Sequence, residues 1–151
     1  MSLIKPLDER HNQGGRVLNV PRGFGAPDES RDAAAARELL EETGLTDDDV
    51  SMTPLPGSPV NADSAFVETD APDDGVQFFA GQIPEAELAR RHGQIGLRTP
   101  RPAPGAAEEQ LSPLVFIPWQ QAVQLADMFT VAAVSRLLAA LVQRGEITLS
   151  R

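Results

Sequence analysis

Gly23-Phe24-Gly25-Ala26-Pro27-Asp28-Glu29-Ser30-Arg31-Asp32-Ala33-Ala34-Ala35-Ala36-Arg37-Glu38-Leu39-Leu40-Glu41-Glu42-Thr43-Gly44-Leu45 crowds three glutamates, Glu38, Glu41 and Glu42, into about one helical turn. Residues four apart stand one above the other on a helix, so Glu38 and Glu42 share a face and Glu41 stands beside them. Like charges at that spacing repel unless a cation lies among them. Oxygen-only donors suit a hard divalent ion, Mg²⁺ or Mn²⁺. For such a cluster taken alone, a solvated acidic helix face is the alternative. The helix is expected to begin near Glu29 or Ser30 and to end at Thr43, with Gly44 in the left-handed capping position. Ala33, Ala36, Leu39, Leu40 and Thr43 recur three and four apart and form its expected buried stripe. Arg37 can form a two-pronged pair with a carboxylate, and Glu29 is the obvious partner.

The same run resembles the signature of the Nudix hydrolases: Gly, five residues, Glu, seven residues, then Arg-Glu-aliphatic-x-Glu-Glu-x-Gly-aliphatic. Gly23, Glu29, Arg37, Glu38, Leu39, Glu41, Glu42, Gly44 and Leu45 all fall in register. The resemblance covers this segment firmly and the rest of the chain loosely. It implies an α/β/α sandwich with a mixed β-sheet, here with its N-terminal strands reduced. It also implies an enzyme that hydrolyses nucleoside diphosphates linked to another moiety. On that resemblance Glu38 and Glu42 are the primary metal ligands, Glu41 is a third, and the backbone carbonyl of Arg22 is a further one. Glu29 either braces the loop through Arg37 or meets the metal through water. Glu41, Glu42 and Arg37 are then the catalytic residues of the box. A carboxylate outside it often serves as general base in relatives. Glu108 and Glu109 are the candidates here, with Glu68 and Asp63 behind them, and an ordinary solvated acidic pair is the alternative.

A pyrophosphate linkage resists hydrolysis because its anionic oxygens repel a nucleophile, and a divalent metal answers that charge. For the substrate, Ser58-Pro59 stands 15 residues beyond Gly44. This resembles the proline that shapes the substrate loop in the ADP-ribose pyrophosphatase branch, so Ser58 and Pro59 are candidate substrate-binding residues. Val17-Leu18-Asn19-Val20-Pro21-Arg22-Gly23 and Asp127-Met128-Phe129-Thr130-Val131-Ala132-Ala133 also resemble that branch's entry to the box and its last helix. Asn19, where a glutamate is common, and the lack of a glycine after Pro59 depart from it. The expected substrate is ADP-ribose or a related nucleotide sugar, cleaved to a nucleoside monophosphate and a sugar phosphate. Nucleoside triphosphates and dinucleoside polyphosphates are alternative substrates, and a non-catalytic nucleotide-sugar-binding regulator is the alternative of a different class.

With 151 residues and 41% hydrophobic content, the chain suits one domain, 1–151, with one core. A formal charge of −9 argues against a nucleic acid polymer as partner, while a small phosphorylated ligand remains compatible through bound metal. Without cysteine there is neither a disulfide framework nor a thiolate metal site. No apolar stretch reaches the roughly 18 residues of a membrane span, and a cytoplasmic protein is expected.

Outward from the box, residues 1–14 are polar and expected to be poorly ordered. Strands are expected at Arg16–Val20, ended by Pro21, and at 50–55, 65–69, 76–81 and 114–117. Pro84 predicts a helix over 85–91, and 93–110, rich in Gly, Pro, Ala and Arg, a long mobile loop. Arg90, Arg91, Arg98 and Arg101 there either meet an anionic ligand or solvate the loop. Pro118 opens a short helix, and Asp127 caps a last one that Gly145 closes, with Met128, Val131, Val134, Leu138 and Leu141 inward. Trp119 and Phe129 are expected in the core. Only 22 residues precede Gly23, which predicts either a homodimer that completes the sheet or a start later than in a complete ancestor.

Overall fold

The computed structural model describes residues 3–6, 16–56, 75–104, 114–125 and 127–148. The described chain is mixed α/β, with small antiparallel sheets flanked by helices, consistent with a Nudix-type α/β/α arrangement. β1 (Leu3–Pro6) pairs with β2 (Arg16–Asn19), Leu3 opposite Asn19. Helix α1 (Arg31–Thr43) follows. β3 (Ser51–Pro54) then pairs with β4 (Phe79–Gln82). A single 3₁₀ turn (Glu85–Glu87) leads to β5 (Leu88–Arg91), β6 (Gln94–Leu97) and β7 (Val115–Phe116), which form a three-stranded sheet in that order. Short α2 (Trp119–Ala122) and long α3 (Met128–Gln143) complete the described elements.

Local chemistry sets the limits of α1. The Ser30 hydroxyl accepts from the Ala33 amide at 3.2 Å, an N-cap contact that typically contributes about 1 kcal/mol. At the other end the Thr43 hydroxyl donates to the Leu39 carbonyl and accepts from the Leu45 amide. Gly44 then turns left-handed at φ 71° and donates to the Leu40 carbonyl. A Cβ on Gly44 would lie 2.4 Å from the Pro102 carbonyl oxygen, so the 101–102 backbone closes directly over this helix end. Arg101 holds that approach through an ion pair with Asp49.

The core has two parts. Leu39 of α1 packs with Leu45, Val50 and Leu114, against Met52, Ile83, Leu97 and Phe116. Ala140 of α3 packs with Leu55 and Phe78, against Phe129, Ala132, Ala133 and Leu137. Burying a leucine such as Leu39 contributes about 2 kcal/mol. Because β3 and its continuation to Leu55 feed both clusters, this segment links the packing of α1 to that of α3.

Several expectations need correction. Leu3–Pro6 form a strand that the polar N-terminal stretch did not suggest, and β2 therefore finds one pairing partner within its own chain. In α1 the buried residues are Leu39, Glu42 and Thr43, while Ala33 and Leu40 are exposed. The inward face is rotated toward the acidic one. After Pro84 the chain makes only one 3₁₀ turn and then runs extended as β5. Arg91 pairs with Gln94 across the two-residue turn His92-Gly93, both at positive φ (50° and 81°), which is the type I′ geometry of tight hairpins. The start of the expected mobile loop is thus β6, and Arg91, Arg98 and Arg101 are bonded to Arg98, Ala86 and Asp49. α3 turns Thr130 and Ala140 inward and leaves Met128 exposed. Trp119 is exposed too. The expected strand at 65–69 lies outside the described residues.

Gly44→Ala should cost at least about 1–2 kcal/mol, since it combines left-handed strain with a backbone clash. Urea denaturation should show the lowered midpoint, and an unchanged midpoint would mean that the 101–102 segment does not close on α1.

Candidate functional site

Arg37 organises the acidic face of α1. Its Nε and Nη2 donate to Glu29 Oε1 and Oε2, both at 3.0 Å, so the two-pronged pair with Glu29 is present. Its Nη1 donates to Glu38 Oε1 at 2.7 Å and to Glu41 Oε2 at 3.1 Å, and Nη2 also reaches the Phe24 carbonyl at 2.8 Å. One guanidinium therefore binds three carboxylates and a loop carbonyl. The bonds from Arg37, joined by one from the Ala26 amide, hold the Glu29 carboxyl below its ordinary range. The Glu29 and Glu38 carboxylates in turn raise the Arg37 pKa further.

The glycine-rich loop before the helix is shaped to meet these groups. The Glu29 amide donates to the Ala26 carbonyl at 3.1 Å, and Asp28 within that turn has φ 64°. Pro27 followed by a residue at positive φ is the pattern of a type II turn. A Cβ on Gly23 would fall 1.8 Å from the Glu38 carboxyl carbon, so that carboxylate lies directly against the Gly23 backbone. Here the glycine admits a side chain close to the main chain. Beside it, the Arg22 amide donates to Glu42 Oε2 at 3.3 Å. Glu42 is buried, at 5% exposure, while the Glu41 side chain is 45% exposed. Glu38 and Glu42 thus both face the backbone of residues 22–23, and Glu41 is turned toward Arg37 and solvent.

A NUDIX domain model matches residues 3–133. The chain belongs to the Nudix family. It is a Nudix hydrolase acting on phosphoanhydride bonds, a pyrophosphohydrolase of nucleoside diphosphate derivatives. No curated protein and no solved structure matches the chain in the two other comparisons. Among the described residues no helix is long and apolar enough to cross a membrane.

Nudix hydrolases generally use a divalent metal such as Mg²⁺. The donor chemistry around residues 22–23 fits a hard cation: the two carboxylates, Glu38 against the Gly23 backbone and Glu42 at the Arg22 amide, supply only oxygen ligands. Among the described residues no group of three or more Asp, Glu or His side chains is arranged to hold a metal. The geometry therefore offers Glu38 and Glu42 as a pair at the backbone of residues 22–23, while Glu41, which shares Arg37 with Glu38, is the more exposed carboxylate. Ser58, Pro59, Asp63, Glu68, Glu108 and Glu109 lie outside the described residues.

Two features of the site carry no signal in the box. The Asp127 carboxylate bonds Arg22 Nη1 at 2.9 Å, and the fully buried Thr130 hydroxyl accepts from the Val20 amide at 2.9 Å. Asp127 was readable as a helix cap, and its second oxygen does accept from the Thr130 amide at 2.8 Å. Its partnership with Arg22 spans 105 positions and has no local mark.

Gly23→Ala introduces no left-handed strain, because Gly23 is not at positive φ, and so tests the close approach alone. It should weaken metal activation by about tenfold or more while leaving helix content intact; a metal titration that overlays the wild type would refute it. Glu29 has a depressed folded-state pKa, so its stabilising contribution is full above the ordinary glutamate value of 4.5 and is lost as pH falls through the lower folded value. Denaturation midpoints from about pH 6 to about pH 3 should therefore fall less steeply in Glu29→Gln than in the wild type.

Proposed function

We propose that this enzyme cleaves ADP-ribose, or a closely related nucleotide sugar, to a nucleoside monophosphate and a sugar phosphate. The observation that carries the catalytic part is the meeting of Glu38 and Glu42 at the backbone of residues 22–23. The substrate class is supported by the sequence features of Ser58-Pro59, of the Val17–Gly23 entry and of the Asp127–Ala133 segment.

Glu38, Glu42 and the Arg22 carbonyl would hold the divalent metal, with Glu41 as the adjoining carboxylate. The bound metal supplies charge neutralisation to the diphosphate oxygens and activation of water. Glu29 acts as the brace of the loop, since Arg37 and the Ala26 amide already engage both of its oxygens. Arg37 keeps Glu38 and the loop carbonyl of Phe24 in fixed relation, which orients the site before substrate arrives. Water adds to one phosphorus, the bond from that phosphorus to the bridging oxygen breaks, and the electron pair leaves with the departing phosphate. Glu108 or Glu109 accepts the proton released by water. The protein works as a cytoplasmic enzyme on a small phosphorylated molecule, and its acidic surface disfavours nucleic acid polymers.

Purified protein with Mg²⁺ should release monophosphate from ADP-ribose faster than from nucleoside triphosphates or dinucleoside polyphosphates. Glu42→Gln should lower turnover about a thousandfold, equivalent to roughly 4 kcal/mol of barrier. Full activity in that variant would remove Glu42 from the metal site, and a preference for triphosphates would replace the substrate class.

A further inference from the structure

The tripeptide Val20-Pro21-Arg22 enters the box loop with both ends fastened to the first turn of α3. At one end the Val20 amide donates to Thr130 Oγ1 at 2.9 Å. At the other, Arg22 Nη1 bonds Asp127 Oδ1 at 2.9 Å, and the guanidinium lies 5.1 Å from the Phe129 ring centroid, within cation–π range. The two fastenings share one carboxylate, because Asp127 Oδ2 accepts from the Thr130 hydroxyl at 2.6 Å and from the Thr130 amide at 2.8 Å. Thr130 is fully buried and the Asp127 side chain is 11% exposed, so the Asp127–Thr130 end of the cluster is shielded. The Arg22 side chain is 39% exposed, and solvent screens its ion pair in part. Between the fastened ends, Pro21 fixes its own φ. The main chain of Arg22 is therefore held in place, and that main chain bonds Glu42 and adjoins Glu38.

We propose that Arg22 and Asp127 are positioning residues for the metal site. Their ion pair carries the order of α3 into the backbone against which Glu38 and Glu42 stand, and so sets the site's affinity for a divalent cation. The inference rests on the metal-site reading given above. Supporting groups behind metal ligands commonly change affinity by about 10- to 100-fold. A direct role for the Arg22 guanidinium on substrate predicts a different pattern: KM would rise on its loss, and Asp127 would matter little.

Asp127→Asn is the informative variant. Asparagine caps helices about as well as aspartate, so α3 keeps its first turn while the charge facing Arg22 disappears. Calorimetric titration with Mn²⁺ should show a dissociation constant raised about tenfold or more in Asp127→Asn and in Arg22→Gln. The double variant should be no worse than the weaker single, and Arg22→Lys should recover part of the loss. Hydrogen exchange at residues 20–24 should quicken in both single variants while the thermal midpoint of Asp127→Asn stays near that of the wild type. In steady state, kcat should fall at fixed Mg²⁺ with KM for the nucleotide unchanged. Unchanged Mn²⁺ affinity in Asp127→Asn, or losses that add in the double variant, would overturn the proposal. A wild type that binds Mn²⁺ but hydrolyses no nucleotide derivative would overturn the reaction and leave the titrations to decide the positioning role. A wild type that binds no Mn²⁺ overturns both.

Discussion

Four carboxylates, Glu29, Glu38, Glu41 and Glu42, are drawn to one short loop and one helix face, and their mutual repulsion must be answered within the chain. Arg37 answers most of it, with five hydrogen bonds that reach three of the four and the Phe24 carbonyl. A lysine at that position could not serve, because the partners lie in different directions and only a planar fork meets them together. Glu42, the most buried of the four, is met instead by the Arg22 amide. A buried carboxylate held partly by a backbone donor depends on where that backbone runs, which makes the path of residues 20–23 as important as any side chain.

Features set by near neighbours could be read directly from the sequence. Ser30, Thr43 and Gly44 mark the ends of α1 because capping works over a few residues, and the box fixes the Glu29–Arg37 pair because its partners lie eight positions apart. The inward face of α1 was read less well: an apolar stripe including Leu40 looks natural on paper, yet the helix buries Glu42 and leaves Leu40 outside. Glu42 meets the Arg22 amide there, a partner invisible to a count of apolar residues. In α3 nearly every position from Met128 to Val142 is apolar or small, so periodicity cannot choose a face, and packing on Leu55 and Phe78 chooses it instead. β5 and β6 were missed for a different reason. Pro84 suits a helix start and a 3₁₀ turn equally, and the hairpin depends on His92 accepting a left-handed conformation that its sequence does not advertise.

The loop from Val20 to Glu29 collects constraints from both helices. Val20 and Arg22 are bonded to α3, Arg22 and Gly23 meet Glu42 and Glu38 of α1, and Phe24 and Glu29 are held by Arg37. A segment this short, secured from two sides, has little conformational freedom left to lose when a ligand arrives, which is the sense in which a site is preorganised. The glycines at 23 and 25 do not make it loose. Gly23 is small because a carboxylate occupies the space its side chain would need.

This arrangement also explains why the box alone identifies the family but does not build the site. Its residues bring together the acidic groups and the guanidinium that balances them, all within 23 positions. They do not determine how the loop backbone approaches Glu42, since that depends on a strand end and on a helix more than a hundred positions away. Because the α1 and α3 clusters meet through β3 and Leu55, a shift of α3 is transmitted to the loop by two routes, through the Asp127–Arg22 bond and through the shared core. The polar route is directional and the apolar one is not. Orientation of the loop must therefore come chiefly from the former, and the distance between the helices from the latter.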